Sequence, residues 1–100
     1  LSDDRVAVVE RVVVIAEKLL AGARSRGISV KLRTLLRYAY ASLKLGTMDI
    51  AVLRSVVARI HPPHTLTNRK FYGELEEALR ARLGAHIYYR RDKKYVYLVK

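Results

Sequence analysis

The apolar residues of this chain keep a helical period as far as Gly84 and alternate only in the stretch that follows. Spacings near 3.6 gather side chains on one face of a helix, and spacings of two gather them on one face of a strand. The chain is therefore confined to a set of helices closed by a hairpin. Stops at Gly27, Gly46, Pro62-Pro63 and Gly84 cut the helical part into four pieces. The expected fold class is mainly α with a C-terminal β-hairpin, an α+β arrangement of four helices followed by two strands. A chain of 100 residues is one domain and buries roughly two-thirds of its unfolded surface. Within it, residues 1–27 form an additional N-terminal helix, 28–84 a three-helix core and 85–100 the hairpin.

Ser2 with Asp3 and Asp4 opens the first helix, supplying an acceptor for free amides and negative charge at the positive end of the dipole. It is expected to run to about Arg24. Val8, Val12, Ile15, Ala16 and Leu19 line one side, and Val9, Val13 and Leu20 widen the apolar stripe to about half the circumference. So wide a stripe predicts either a helix central to the fold or a helix that also contacts a second copy or a protein partner, through Val9, Val13 and Leu20. The many valines make a strand the competing assignment, but the spacing of the charged pairs Glu10-Arg11 and Glu17-Lys18 favours a helix.

Ser29 is the expected cap of a second helix from about Val30 to Leu45, burying Leu32, Leu35, Leu36, Ala39 and Leu43. Thr47 or Asp49 starts a third, with Ile50, Leu53, Val57 and Ile60 inward. Thr67 caps a fourth, with Phe71, Leu75, Ala78, Leu79 and Leu83 inward. In the hairpin, a four-residue loop from Arg91 to Lys94 pairs Tyr89 with Val96 and Ile87 with Leu98 on the core face. Tyr88 then faces Tyr97, and Arg90 faces Tyr95, on an aromatic and basic outer face. A two-residue turn without glycine is expected to be strained.

Charge follows a different map. The formal net charge is +11, and from Lys18 to Lys70 eleven Lys or Arg residues meet a single acid, Asp49. Such a stretch creates a positive face that attracts polyanions, with nucleic acid first among them. Arg33, Arg37, Tyr40 and Lys44 share one flank of the second helix, beside its buried stripe and free of acids. Arg90, Arg91, Lys93 and Lys94 surround the hairpin turn. Arg54 and Arg59 add to the excess or pair with Glu10, Glu17 or the glutamates of the last helix.

Other chemistry finds little support. The chain has no cysteine, hence no disulfide, thiolate metal site or cysteine nucleophile. His61-x-x-His64 is half a metal site without further ligands, His86 reads as structural, and no metal or cofactor is expected. Asp3, Asp4, Asp49 and Asp92 are scattered over termini and turns, so no enzyme is expected. Glu74, Glu76 and Glu77 read as a solvated helix face. No apolar run approaches membrane-spanning length and no signal-peptide start is present, which predicts a cytoplasmic protein with no membrane partner. The absence of glutamine and the single Asn68 point to a thermophilic source, archaeal or viral.

Three helices from Val30 to Leu83 followed by a basic hairpin resemble the winged helix-turn-helix superfamily, over about 70 residues and with one additional helix in front. The resemblance lies in element order and carries no family-specific motif. It implies a duplex DNA binder, such as a transcription regulator or chromatin-type protein, whose last core helix enters the major groove while the wing reaches backbone or minor groove. On that basis Asn68, Arg69 and Lys70, with Tyr72 and Gly73, face the groove, and Arg90, Arg91, Lys93 and Lys94 form the wing tip. The glutamates of that helix argue for a competing mode in which Arg33, Arg37, Tyr40 and Lys44 dock instead. Two further readings are an interaction subunit of a larger replication, transcription or ribonucleoprotein assembly, and a structural RNA-binding protein.

Overall fold

The computed structural model describes residues 2–100, with side chains from Arg5 onward. The fold is mixed α+β, four helices and a three-stranded antiparallel sheet, compatible with a winged-helix-like architecture. In chain order these are α1 (Ser2–Ala21), β1 (Gly27–Lys31), α2 (Leu32–Leu45), α3 (Ile50–Val56), α4 (Arg69–Leu83), β2 (His86–Arg90) and β3 (Lys93–Val99). Two short 3-10 turns, Val57–Arg59 and His64–Leu66, lie between α3 and α4. The capping role expected of Ser2, Asp3 and Asp4 lies outside the described side chains.

Helix α1 is central. Val8, Val12, Val13, Ile15 and Ala16 are all buried against α2 and α4, and Val9, Leu19 and Leu20 pack partly buried around them. Full burial of three valines outweighs their modest helix propensity, which costs only a few tenths of a kcal/mol each. Val13, expected on a partner face, is 1% exposed and belongs to the core. Val9 and Leu20, expected on the same partner face, are only partly buried. Leu35, Leu36, Leu53, Phe71, Leu75, Leu79, Val96 and Leu98 complete the same core.

The second helix begins later than its sequence suggests, because Gly27–Lys31 is a strand. Ser29 caps nothing; it pairs with Tyr97 in the β1–β3 ladder, and Lys31 occupies the N-cap of α2 without a side-chain cap bond. Ile28 and Val30 turn to the core opposite Leu98 and Val96, while Ser29 and Lys31 take the outer face. The sheet order is β1-β3-β2, so the hairpin is joined to the helical body by a third strand.

Helix ends follow local chemistry. Asp49 caps α3, its carboxylate accepting from the Ala51 amide at 3.0 Å. Asn68, not Thr67, caps α4: its side-chain oxygen accepts from the Phe71 amide at 2.9 Å. Gly46 and Gly84 end α2 and α4 with φ of 66° and 62°, a left-handed geometry that glycine adopts without penalty.

The hairpin turn is a two-residue one, Arg91-Asp92, with φ of 53° and 66°. Positive φ at both central residues is the geometry that matches the twist of paired strands. The four-residue loop is therefore replaced by a tighter turn, and the register moves by two: Ile87 pairs with Val96, Tyr88 with Tyr95 and Tyr89 with Lys94. A shift of two keeps every residue on its expected face. Its effect is to carry Tyr89 beyond the core, where it is 69% exposed with the Lys94 ammonium 5.5 Å from its ring centre.

Candidate nucleic-acid interface

The acid-free flank of α2 and the hairpin turn are parts of one surface. Between them lies a cleft of about 480 Å³ lined by Lys31, Leu32, Arg33, Thr34 and Arg37 from the β1–α2 segment, Tyr72 from α4, and Asp92, Lys93 and Lys94 from the hairpin. Arg33 and Arg37 of the α2 flank thus stand across a groove from Lys93 and Lys94 of the wing tip, while Tyr40, Lys44, Arg90, Arg91, Asn68, Arg69 and Lys70 do not line it. Lys31 joins them because β1 delivers it there. The alternation Ile28-Ser29-Val30-Lys31 is the sequence signal that would have found it, had that segment been assigned as a strand.

Most of these cations carry no internal partner. Among the described residues the ion pairs are Arg80–Glu76 at 3.6 Å, Arg82–Glu10 at 2.6 Å and Lys94–Glu76. Lys31, Arg33, Arg37, Arg90, Arg91 and Lys93 appear in none of them. Arg37 goes further: its Nε is buried and has no hydrogen-bond partner among the described residues. A buried donor left without a partner costs about 1–3 kcal/mol, so this guanidinium sits in the cleft wall at a local cost. Farther along α2 the Lys44 ammonium lies 5.5 Å from the ring centre of Tyr40, a cation–π contact that leaves Lys44 exposed.

Lys94 stands apart from the other hairpin cations. Its ammonium is bonded to Glu76, which is only 8% exposed and also receives Arg80. The hydrogen bond to Glu76 holds the Lys94 pKa above the ordinary lysine value, against the lowering effect of partial burial, with Tyr89 contributing in the same sense. Glu76 is therefore not part of a solvated acidic face; it ties the hairpin to α4 through Lys94. Glu74 and Glu77 remain exposed, on the flank of α4 that also carries Lys70.

The first turn of α4 divides its expected readers. Both ends of the Asn68 amide are occupied, the oxygen by the Phe71 amide and the nitrogen by donation to the Thr65 carbonyl at 2.8 Å, so Asn68 serves the cap. Arg69 is exposed and shares with Tyr72, Gly73 and Glu76 the flank that meets the hairpin. Lys70 is exposed on the adjoining flank. A side chain at Gly73 would meet nothing within 4 Å, so packing places no demand for glycine there.

Arg11, Lys18, Glu10 and Arg82 make contacts away from the cleft, while Arg54 and Arg59 are exposed and take part in no ion pair among the described residues. Arg11 donates to the Ser42 hydroxyl and toward the Met48 sulfur, both at 3.2 Å, and Lys18 donates to the Met48 carbonyl at 3.2 Å. Glu10 is taken by Arg82, not by Arg54 or Arg59. His61 and His64 lie exposed in the segment between α3 and α4, and no group of three metal-ligating side chains occurs among the described residues. No described helix is long and apolar enough to cross a membrane. The chain matches no known protein family, no curated protein and no solved structure.

Proposed function

We propose that this protein is a non-enzymatic nucleic-acid binder that holds the sugar-phosphate backbone of duplex DNA in the cleft between α2 and the hairpin. The observation that carries the reading is the convergence of Lys31, Arg33, Arg37 and Lys93, none of them in an internal ion pair, on a groove whose acid is Asp92 alone. Cations without partners are held together against their mutual repulsion, and a polyanion relieves it. Arg69 and Tyr72 extend the groove onto the first turn of α4, while Arg90 and Arg91 continue it along the hairpin. The element order supports a winged-helix-type binder that approaches DNA through α2 and the wing as well as through its last core helix.

Affinity in this scheme comes from counterion release. About six neutralised phosphates give a slope near −5 in a plot of log affinity against log salt. Arg69 is the base-edge reader, since an arginine fork matches guanine, and Asn68 is committed to its cap. Asp49, Glu10 and Glu76 each have a structural task, which favours binding over catalysis.

The test is fluorescence anisotropy of labelled duplex DNA, single-stranded DNA and duplex RNA of equal length, titrated between about 50 and 200 mM salt. Tight duplex-DNA binding that weakens steeply with salt is expected. Equal or tighter binding of duplex RNA would move the proposal to a structural RNA-binding protein, and no binding to any of the three would overturn it.

A further inference from the structure

We propose that the outer face of the sheet is a second binding surface, one that takes the unpaired bases of a single-stranded nucleic acid. This face adjoins the α2–hairpin cleft and shares Lys31 and Lys93 with it, but its aromatic positions lie outside the cleft lining, and its role does not rest on duplex binding there.

An antiparallel sheet with one face on the core normally turns mixed polar side chains to water on the other. Here no strand contains an acid, and the outer positions carry His86, Tyr88 and Arg90 on β2, Lys93, Tyr95 and Tyr97 on β3, and Ser29 and Lys31 on β1. The rings are ordered. Tyr88 and Tyr95 stack with centroids 5.6 Å apart and planes at 18°, and His86 continues the series at 6.4 Å and 24° from Tyr88. The Tyr88 hydroxyl is hydrogen-bonded to that of Ser29, which ties this row across β3 to β1.

Tyr97, which pairs with His86, reaches the other way across the face to lie over Gly27 on β1. A Cβ at position 27 would stand 2.7 Å from the Tyr97 hydroxyl oxygen and 3.0 Å from Cζ. Glycine there is what allows the phenol to settle against β1, yet the residue stays 42% exposed. The face therefore offers aromatic groups with Lys31, Arg90 and Lys93 beside them. Bases stack on such groups while cations track the phosphates, and the arrangement tolerates any sequence because every base has a π-face. Charge selects the occupant. A second copy of this cationic surface would be repelled, whereas a single strand brings the opposite charge. Lys31 and Lys93 also line the cleft, so the two surfaces are continuous.

The deciding experiment pairs Tyr88→Leu/Tyr97→Leu, which leaves every cation in place, with Arg33→Glu/Arg37→Glu in the cleft. Each is titrated with oligothymidylate and oligouridylate of about fifteen nucleotides and with a duplex. The tyrosine variant is expected to lose about tenfold in single-strand affinity for each ring removed and to keep duplex affinity within about twofold. The cleft variant is expected to do the reverse, and the two homopolymers separate DNA from RNA. Amide-shift mapping of the unaltered protein with oligothymidylate guards against a variant that fails to fold: the largest shifts are expected on β1, β2 and β3. Shifts confined to α2 and α4, no binding of either homopolymer, or an unchanged single-strand affinity in the tyrosine variant would overturn the proposal. Single-strand binding without duplex binding would leave it standing and remove the duplex reading alone.

Discussion

Arg82 on α4 lies 2.6 Å from Glu10 on α1, and Lys18 on α1 donates at 3.2 Å to the Met48 carbonyl in the segment between α2 and α3, whereas between α2 and the hairpin Lys31, Arg33, Arg37 and Lys93 surround a cleft whose acid is Asp92. Both regions are built from helices with cations on their flanks. What separates them is whether the fold supplies a partner, a carboxylate for Arg82 and a backbone carbonyl for Lys18. A net charge of +11 says only that cations outnumber acids; the pairing pattern says which cations the fold already holds, Arg80, Arg82 and Lys94 among the described residues. Lys94 marks the boundary, since it belongs to the hairpin yet is held by the buried Glu76.

The sharpest way to break the contrast is to remove that boundary. Glu76→Ala leaves Lys94 and Arg80 without their acceptor and takes away the tie between hairpin and α4. Urea unfolding is expected to show a loss of about 2 kcal/mol. The pH dependence has a definite sign. Because the Lys94 pKa is raised on folding, its contribution is fully present below the ordinary lysine range and is lost as pH rises through the folded value. The stability gap between the two proteins should therefore hold from neutral pH up to the ordinary lysine range and narrow in strong alkali, where Lys94 gives up its proton. A gap that narrowed between neutral pH and the ordinary lysine range would show that Lys94 is not the group responsible.

A smaller effect is expected from the free side of the hairpin. Arg91→Glu with Lys93→Glu should weaken duplex binding about tenfold and lower the salt slope by about two, one unit for each phosphate that is no longer neutralised. Unaltered binding would take the hairpin turn out of the interface and leave α2 alone. The smallest effect belongs to the paired flank. Glu10→Ala breaks an exposed bridge, worth about 0.2–1 kcal/mol, and duplex binding is expected to stay within about twofold.

Elements whose causes are local were legible in the sequence, and those whose causes are distant were not. The four helices were legible because their stripes and stops lie within single segments, as with Leu35, Leu36 and Ala39 before Gly46. Strand β1 was not, since its five residues become a strand only by pairing with β3, far along the chain, and Ser29 looks locally like a cap. The hairpin faces were legible from alternation, but the turn was not: Arg91 and Asp92 take left-handed backbone that nothing in their local sequence demands. With β3 held between two partner strands, tertiary pairing outweighs turn preference.

The candidate site divides in the same way. Arg33 and Arg37 were visible as an acid-free flank of one helix, and Lys93 as part of a basic turn, each from its own segment. Their meeting across a cleft depends on how β1 and β3 set the hairpin against α2, which no local pattern encodes. Glu76 illustrates the limit at a single residue. Three glutamates within four positions of α4 look equally solvated, and only packing selects Glu76, next to Leu75 at the edge of the buried stripe, as the one that turns inward.

The central claim, that the unpaired cations and not the net charge bind nucleic acid, is tested most directly by two variants matched in charge. Arg33→Glu/Arg37→Glu alters the cleft and Lys18→Glu/Arg82→Glu alters the paired flank; two reversals of two units each take the formal charge from +11 to +7 in either protein. Duplex affinity would be measured across the same salt range, with folding checked by circular dichroism. The cleft variant is expected to lose about a hundredfold in affinity and about two units of salt slope, while the flank variant keeps the slope of the unaltered protein. Equal losses in the two variants would contradict the account and reduce the interaction to bulk charge.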